Sequence, residues 1–146
     1  MKILVKIIAI VIIFFGGFWL GQNQAQAPAD AQTAVLAPAK ITVSLKIDFG
    51  SDRIETYDSI SLEPTGSVYD LLKAIEKSNN IIIGVKDYGG DLGVLVEAIG
   101  GIANDSKTGT YWQYWVNDQY AKVGASTYRL KSGDKVEWKF LKSQIK

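Results

Sequence analysis

Cysteine and histidine are both absent from the 146-residue chain. Without cysteine there are no disulfides, no thiol chemistry and no lipid-modified cysteine to serve as an anchor. A domain of this composition must be held by its core alone. Without histidine there can be no Ser-His-Asp or Cys-His nucleophile and no histidine-rich zinc site. Carboxylates, lysines and tyrosines remain for catalysis, which disfavours an enzyme. A large charge imbalance is missing as well. All fifteen acidic residues and fourteen of the sixteen basic ones lie beyond residue 28, leaving that part near −1. Such a balance offers no electrostatic case for nucleic acid.

The one long apolar run is at the start. Lys2 and Lys6 precede Ile7–Leu20, and the small residues Ala25-Gln26-Ala27 follow. A positive start, an apolar middle and a small-residue end describe a secretory signal. Ile3–Leu20 also reaches the lower limit for an uncleaved spanning anchor. Residues 1–21 are therefore expected to be a signal peptide or membrane anchor. In either case the rest is exported, because the lysines mark the cytoplasmic end. Residues 22–39, rich in Gln, Ala and Pro, cannot bury enough surface to fold and read as a tether. Residues 40–146 make one domain of ordinary size.

Periodicity outlines that domain. Ile41, Val43, Leu45, Ile47 and Phe49 alternate with polar residues, predicting a strand with one buried face. Gly50-Ser51-Asp52 turns the chain into a weaker second strand, Ile54 to Leu62. Val68, Leu71, Leu72 and Ile75 then fall on one face of a helix. Ser67 with Asp70 predicts its capping-box start, and Ser78-Asn79-Asn80 its end. Ile81 begins a third strand, and the glycine-rich stretch from Gly84 to Gly101 predicts no single element. Tyr111-Trp112-Gln113-Tyr114-Trp115-Val116 is aromatic strand material, followed by a turn at Asn117-Asp118. Ser132-Gly133-Asp134 leads into a last strand, Val136 to Phe140. The lysines 131, 135, 139, 142 and 146 along it suggest a solubilised sheet edge. The order β-β-α-β-β-β predicts an α+β domain of ubiquitin-like, or β-grasp, type: a mixed sheet packed on one helix.

Several chemical motifs are weak or absent. Asp87, Asp91 and Asp105 lack calcium-loop spacing and are better explained as turn residues, so no metal site is expected. Asn104-Asp105-Ser106 is a glycosylation sequon only in a eukaryotic secretory pathway, and no glycine group has phosphate-loop spacing. Glu55 with Glu63, or Glu97 with Glu137, could form a glycosidase-type pair, but solvated strand faces account for them.

Trp112-x-Tyr114-x-Val116-Asn117, followed by Tyr128-x-Leu130-x-x-Gly133-Asp134-x-Val136-x-Trp138-x-Phe140, resembles the signature of the transcobalamin-like C-terminal domain family. Ser67-Val68-Tyr69-Asp70-Leu71-Leu72 resembles that family's helix start. The resemblance covers most of Ile41 to Leu141. It implies a β-grasp domain, commonly small, exported and without an assigned role in bacteria. In the vitamin carriers that name the family, this domain closes over one face of cobalamin, so cobalamin is the cofactor the resemblance implies. Trp112-Gln113 resembles the cobalamin-facing segment. Two departures stand out: this sequence shows no companion helical domain, and Asp118 stands where many bacterial members have glycine.

Alternation places Tyr111, Gln113 and Trp115 on one face of the aromatic strand and Trp112, Tyr114 and Val116 on the other. One row is expected to pack on Leu71, Leu72 and Ile75. The other is covered by residues 84–108 as a lid, or stands exposed as a recognition platform. Tyr111, Gln113 and Trp115 are the candidate ligand-binding row. The resulting expectation is a non-enzymatic, exported or membrane-tethered binding domain for a small ligand or cell-envelope component. The alternative is an envelope interaction module that adds a partner strand at a sheet edge. A concave pocket beside Gln113 would favour the small ligand, a flat patch or open edge the protein partner, and carboxylates in a cleft an enzyme.

Overall fold

In the computed structural model, residues 39–90 and 92–144 are described. The expected leader and, apart from Ala39, the expected linker lie outside them. No helix among the described residues is long and apolar enough to cross a membrane.

The chain runs β1 (Ile41–Asp48), β2 (Ile54–Leu62), α1 (Val68–Asn79), β3 (Ile83–Asp87), β4 (Val94–Ile99), β5 (Ile102–Ala103), β6 (Thr110–Val116), β7 (Gln119–Tyr120) and β8 (Lys135–Lys142). It is a mixed α+β fold with one helix among the described residues. β2, β1, β8, β6 and β7 form a five-stranded sheet in that order, with β1 and β8 parallel and the other pairs antiparallel. A second, antiparallel sheet has the order β3-β4-β5.

The large sheet has one apolar and one polar face because its strands alternate in register. Leu45, Val136 and Val116 stand opposite one another, and so do Ile47, Trp138 and Tyr114. Trp112 faces Phe140 across the next rung and meets Phe49 edge-on, with ring centroids 5.5 Å apart. The expected helix face, Val68, Leu71, Leu72 and Ile75, is fully buried in the same core. Burying each such side chain contributes roughly 1.5–3 kcal/mol, which dominates the anchoring of α1. Ser67 caps the helix: its Oγ accepts from the Asp70 amide (3.1 Å), while its own amide donates to Asp70 Oδ2 (2.9 Å). The helix stops at Asn80, whose left-handed conformation (φ 56°) ends the ladder.

The opposite face of the sheet is solvated. Lys46 and Lys139 flank Glu137 at 2.8 and 2.7 Å, and Lys139 lies over the Trp115 ring, 4.8 Å from its centroid. The lysines of β8 therefore do not line a sheet edge, as the sequence suggested. β8 is central, held by parallel pairing with β1 across most of the domain's length. Lys146 lies outside the described residues.

The glycine-rich stretch resolves into the hairpin of β3 and β4, with strand structure beginning at Ile83 rather than Ile81. Gly100 and Gly101 (φ 57° and 85°) turn β4 directly into β5, a two-residue geometry that side chains resist. This sheet adds Val96 and Ile99 to the core alongside Trp112. It does not form a lid over the Tyr111, Gln113 and Trp115 row, because its apolar side chains join the other row.

Candidate functional site

Two short strands shape the site. β7 pairs only with Trp115 and Val116, and β5 only with Ala98 and Ile99. Apart from an isolated bridge between Thr110 and Asp105, the remainder of β6 on that side has no strand partner among the described residues. Asn104 bridges the gap: its Oδ1 accepts from the Trp112 amide (2.7 Å), and its Nδ2 donates to the Val96 carbonyl (3.1 Å). Farther along, Val94 is held by the 121–126 segment, receiving a bond from the Ala125 amide (3.2 Å) and donating one to Ser126 Oγ (2.9 Å).

A cavity of about 830 Å³ opens between these supports. Val94 and Val96 line it from β4, Trp112 and Tyr114 from β6, and Trp138 from β8. Its size lies in the range of small-molecule sites. Tyr88, Leu92, Leu95 and Val123 also line it, at 52, 73, 43 and 47% exposure. They account for most of the large apolar side chains that the described residues leave in solvent. At Gly124 a Cβ would run into the carbonyl oxygen of Leu92, so the two backbones can meet there only through glycine.

The polar groups of the wall are mostly committed to the protein. Trp112 Nε1 donates to the Ile102 carbonyl (2.8 Å), and the Tyr114 hydroxyl donates to the Val123 carbonyl (2.8 Å). Burial pushes the Tyr114 phenol well above its ordinary pKa. Trp138 Nε1 differs: it is the one buried side-chain nitrogen or oxygen among the described residues with no hydrogen-bond partner. An orphaned buried donor costs about 1–3 kcal/mol.

The expected ligand-binding row is dispersed. Tyr111 is half-buried, and Trp115 is half-buried between Lys139 and Tyr120, the latter with a ring centroid 5.2 Å away. Gln113 is only 8% exposed. Its Nε2 donates to the Leu141 and Lys142 carbonyls (3.1 and 3.2 Å), and its Oε1 accepts from the Gln144 amide (3.0 Å). Gln113 and Gln144 also border the cavity, whereas Tyr111 and Trp115 are not among its lining residues. Sequence reasoning missed the rim and Asn104. Tyr88 and Leu92, large apolar residues in a glycine-rich stretch, were the available signal for the rim.

A second, more polar cleft of about 450 Å³ lies beside Arg53, Glu55 and Tyr57. Glu55 accepts from Arg53 Nη2 (2.7 Å) and from the Tyr57 hydroxyl (2.6 Å). The Tyr57 bond, with help from Arg53, outweighs burial and lowers the Glu55 pKa. Of the other carboxylates considered as acid–base pairs, Glu63 is in an exposed ion pair with Lys40 (3.4 Å), and Glu137 is held between two lysines. Asp87 Oδ1 accepts from the Gly89 amide and Asp105 Oδ1 from the Lys107 amide, as turn residues do. Asp91 lies outside the described residues. Among the described residues no group of three or more His, Cys, Asp or Glu could hold a metal ion.

The fold is shared with solved structures of low identity. A crystal structure of a candidate metal-binding protein from Ruminococcus gnavus ATCC 29149 matches with a TM-score of 0.54 at 12% identity, over 70% of this chain and 98% of that one. Haptocorrin in complex with Cbi matches with a TM-score of 0.59 at 18% identity, over 71% of this chain but only 26% of haptocorrin. At these identities the likeness is one of fold. No curated protein matches in sequence. Residues 66–142 match the model of a domain of unknown function, DUF4430, and the chain belongs to that family.

Proposed function

We propose that this chain is a non-enzymatic binding domain, exported or held at a membrane by its N-terminal segment, that takes a small molecule into the cavity between its two sheets. The observation that carries this reading is the concave, aromatic-walled cavity beside Gln113, ringed by exposed apolar side chains. Few polar groups and a largely apolar lining are the ordinary makeup of a ligand site.

The likeness to a domain of haptocorrin supports a β-grasp architecture and places cobalamin among the ligands to be tried. The other likeness puts a metal ion on the same footing, although the described residues assemble no carboxylate cluster for one. The absence of histidine and cysteine from the sequence supports a binding role over catalysis.

Calorimetric titration of the full chain with 1-decanol, as a neutral apolar probe, and with a cobalamin tests the reading. An Ala121→Trp variant, which fills the cavity from its wall, serves as the control. Saturable heat with either compound, lost in the variant while its circular dichroism is unchanged, is the expected result. Absence of saturable binding by both compounds would defeat the reading. Failure of cobalamin alone would remove only cobalamin.

A further inference from the structure

The cavity carries its charge asymmetrically. Lys122 is the only charged side chain among the described residues that line it, and no carboxylate is among them. Lys122 is exposed, and no ion pair joins it to another described residue. It adjoins Val123, which belongs to the apolar rim. Lys86 lies over the Tyr88 ring, its Nζ 4.9 Å from the centroid, but it does not line the cavity and Asp87 adjoins it. Lys122 is thus the one formal charge on the lining, while the interior of Val94, Val96, Trp112, Tyr114 and Trp138 carries none.

We propose that the ligand is an amphipathic anion, a long-chain carboxylate or a molecule of that class, with its apolar chain between β4 and β6 and its anionic head at Lys122. This rests on the reading of the cavity as a small-molecule site. Three physical points support the assignment. A neutral polar ligand would need hydrogen-bonding groups inside, yet the indole of Trp112 and the hydroxyl of Tyr114 are already satisfied by backbone carbonyls, and the unpaired Trp138 Nε1 is itself closed off from solvent. An apolar chain needs no partners and gains from burial with each methylene. A charged head could not enter such a wall without losing its hydration, but at the mouth it keeps water and gains Lys122. The exposed Leu92, Leu95 and Val123 then cover the part of the chain that leaves the interior.

The test is a titration of the full chain with octanoate, decanoate and dodecanoate below their micellar concentrations, beside 1-decanol. Tryptophan emission reads the wall and calorimetry reads the stoichiometry. Each added methylene is expected to tighten binding by about fourfold, the equivalent of ~0.8 kcal/mol, until the cavity is full. Decanoate should bind about as tightly as decanol, Lys122 offsetting the extra methylene of the alcohol. Lys122→Met should weaken decanoate by about two- to fivefold, the range of an exposed ion pair, and leave decanol unchanged. Ala121→Trp should abolish binding of all four, and Leu95→Trp at the rim provides a second block should that variant fail to fold. Decanoate affinity unaffected by Lys122→Met would overturn the anionic head while leaving the cavity a ligand site. Affinity independent of chain length would overturn the apolar chain. Binding of none of the four would remove the small-molecule reading together with this one.

Discussion

Replacing Asn104 with alanine is the sharpest probe of how the cavity is held open. The side chain makes two bonds to the backbone of different sheets, 2.7 Å from the Trp112 amide and 3.1 Å to the Val96 carbonyl. Alanine leaves both backbone groups without partners. A buried polar group left unpaired costs about 1–3 kcal/mol, and water reaching this half-buried position reduces the sum to about 2–4 kcal/mol. For a domain near 100 residues that lowers the melting temperature by roughly 8–20 °C. Urea unfolding followed by tryptophan emission measures the loss, with Lys107→Ala, an exposed change on the same loop, expected within about 0.5 kcal/mol of the parent. Amide exchange supplies a local readout: the Trp112 N–H should exchange faster, whereas the core amide of Leu72 should follow global stability. A loss no greater than that of Lys107→Ala, or unchanged protection at Trp112, would refute the bridging role.

Four further outcomes follow from other contacts of the fold. Gln113→Ala should cost about 1–2 kcal/mol, because three bonds to the C-terminal segment are lost but the freed groups can reach water; faster exchange of the Gln144 amide in the variant checks it. Ser67→Ala should destabilise by about 1 kcal/mol through the lost cap, measured by denaturant unfolding. Burial works to raise the Asp70 pKa, but bonds from Lys73 and Ser67 outweigh it and hold the carboxyl at about 2, against an unperturbed 3.8. Its contribution to stability is therefore complete above about pH 4 and is lost as pH falls toward 2. A pH series of unfolding midpoints in which Asp70→Asn loses the same increment as the parent over that range would contradict this. Burial, followed by the hydrogen bond to Glu55 and that carboxylate's charge, pushes the Tyr57 phenol up to about 12. Difference absorbance titration of Tyr57→Phe against the parent should show one fewer tyrosine ionising near that pH.

Much of the local structure was legible from periodicity. Ile41 to Ile47, the helix face from Val68 to Ile75 and its Ser67–Asp70 cap declare themselves through spacing, because a single amphipathic element satisfies its pattern within a short window. The Asn117-Asp118 turn was legible for the same reason: both residues adopt positive φ, 49° and 65°, as a two-residue hairpin requires. The hairpin of β3 and β4 was not, since its apolar residues are interrupted by glycines and by a register shift between Gly84 and Val85. Gln113 could be singled out as the amide within an aromatic row, but not as the clasp of the C-terminal segment, whose carbonyls reach it only through the pairing of β6 with β8.

The sequence by itself determined the strands β1, β2, β6 and β8 and where the helix begins and ends, because these depend on neighbours within a few positions. Only the tertiary structure decided that β8 is a central strand beside β1, that the glycine-rich stretch builds a second sheet, and that a cavity lies between β4 and β6. Those outcomes depend on pairings between segments distant in the chain and on how far β5 and β7 extend. Such pairings leave no period in the sequence, since the groups that satisfy them are backbone amides and carbonyls common to every residue.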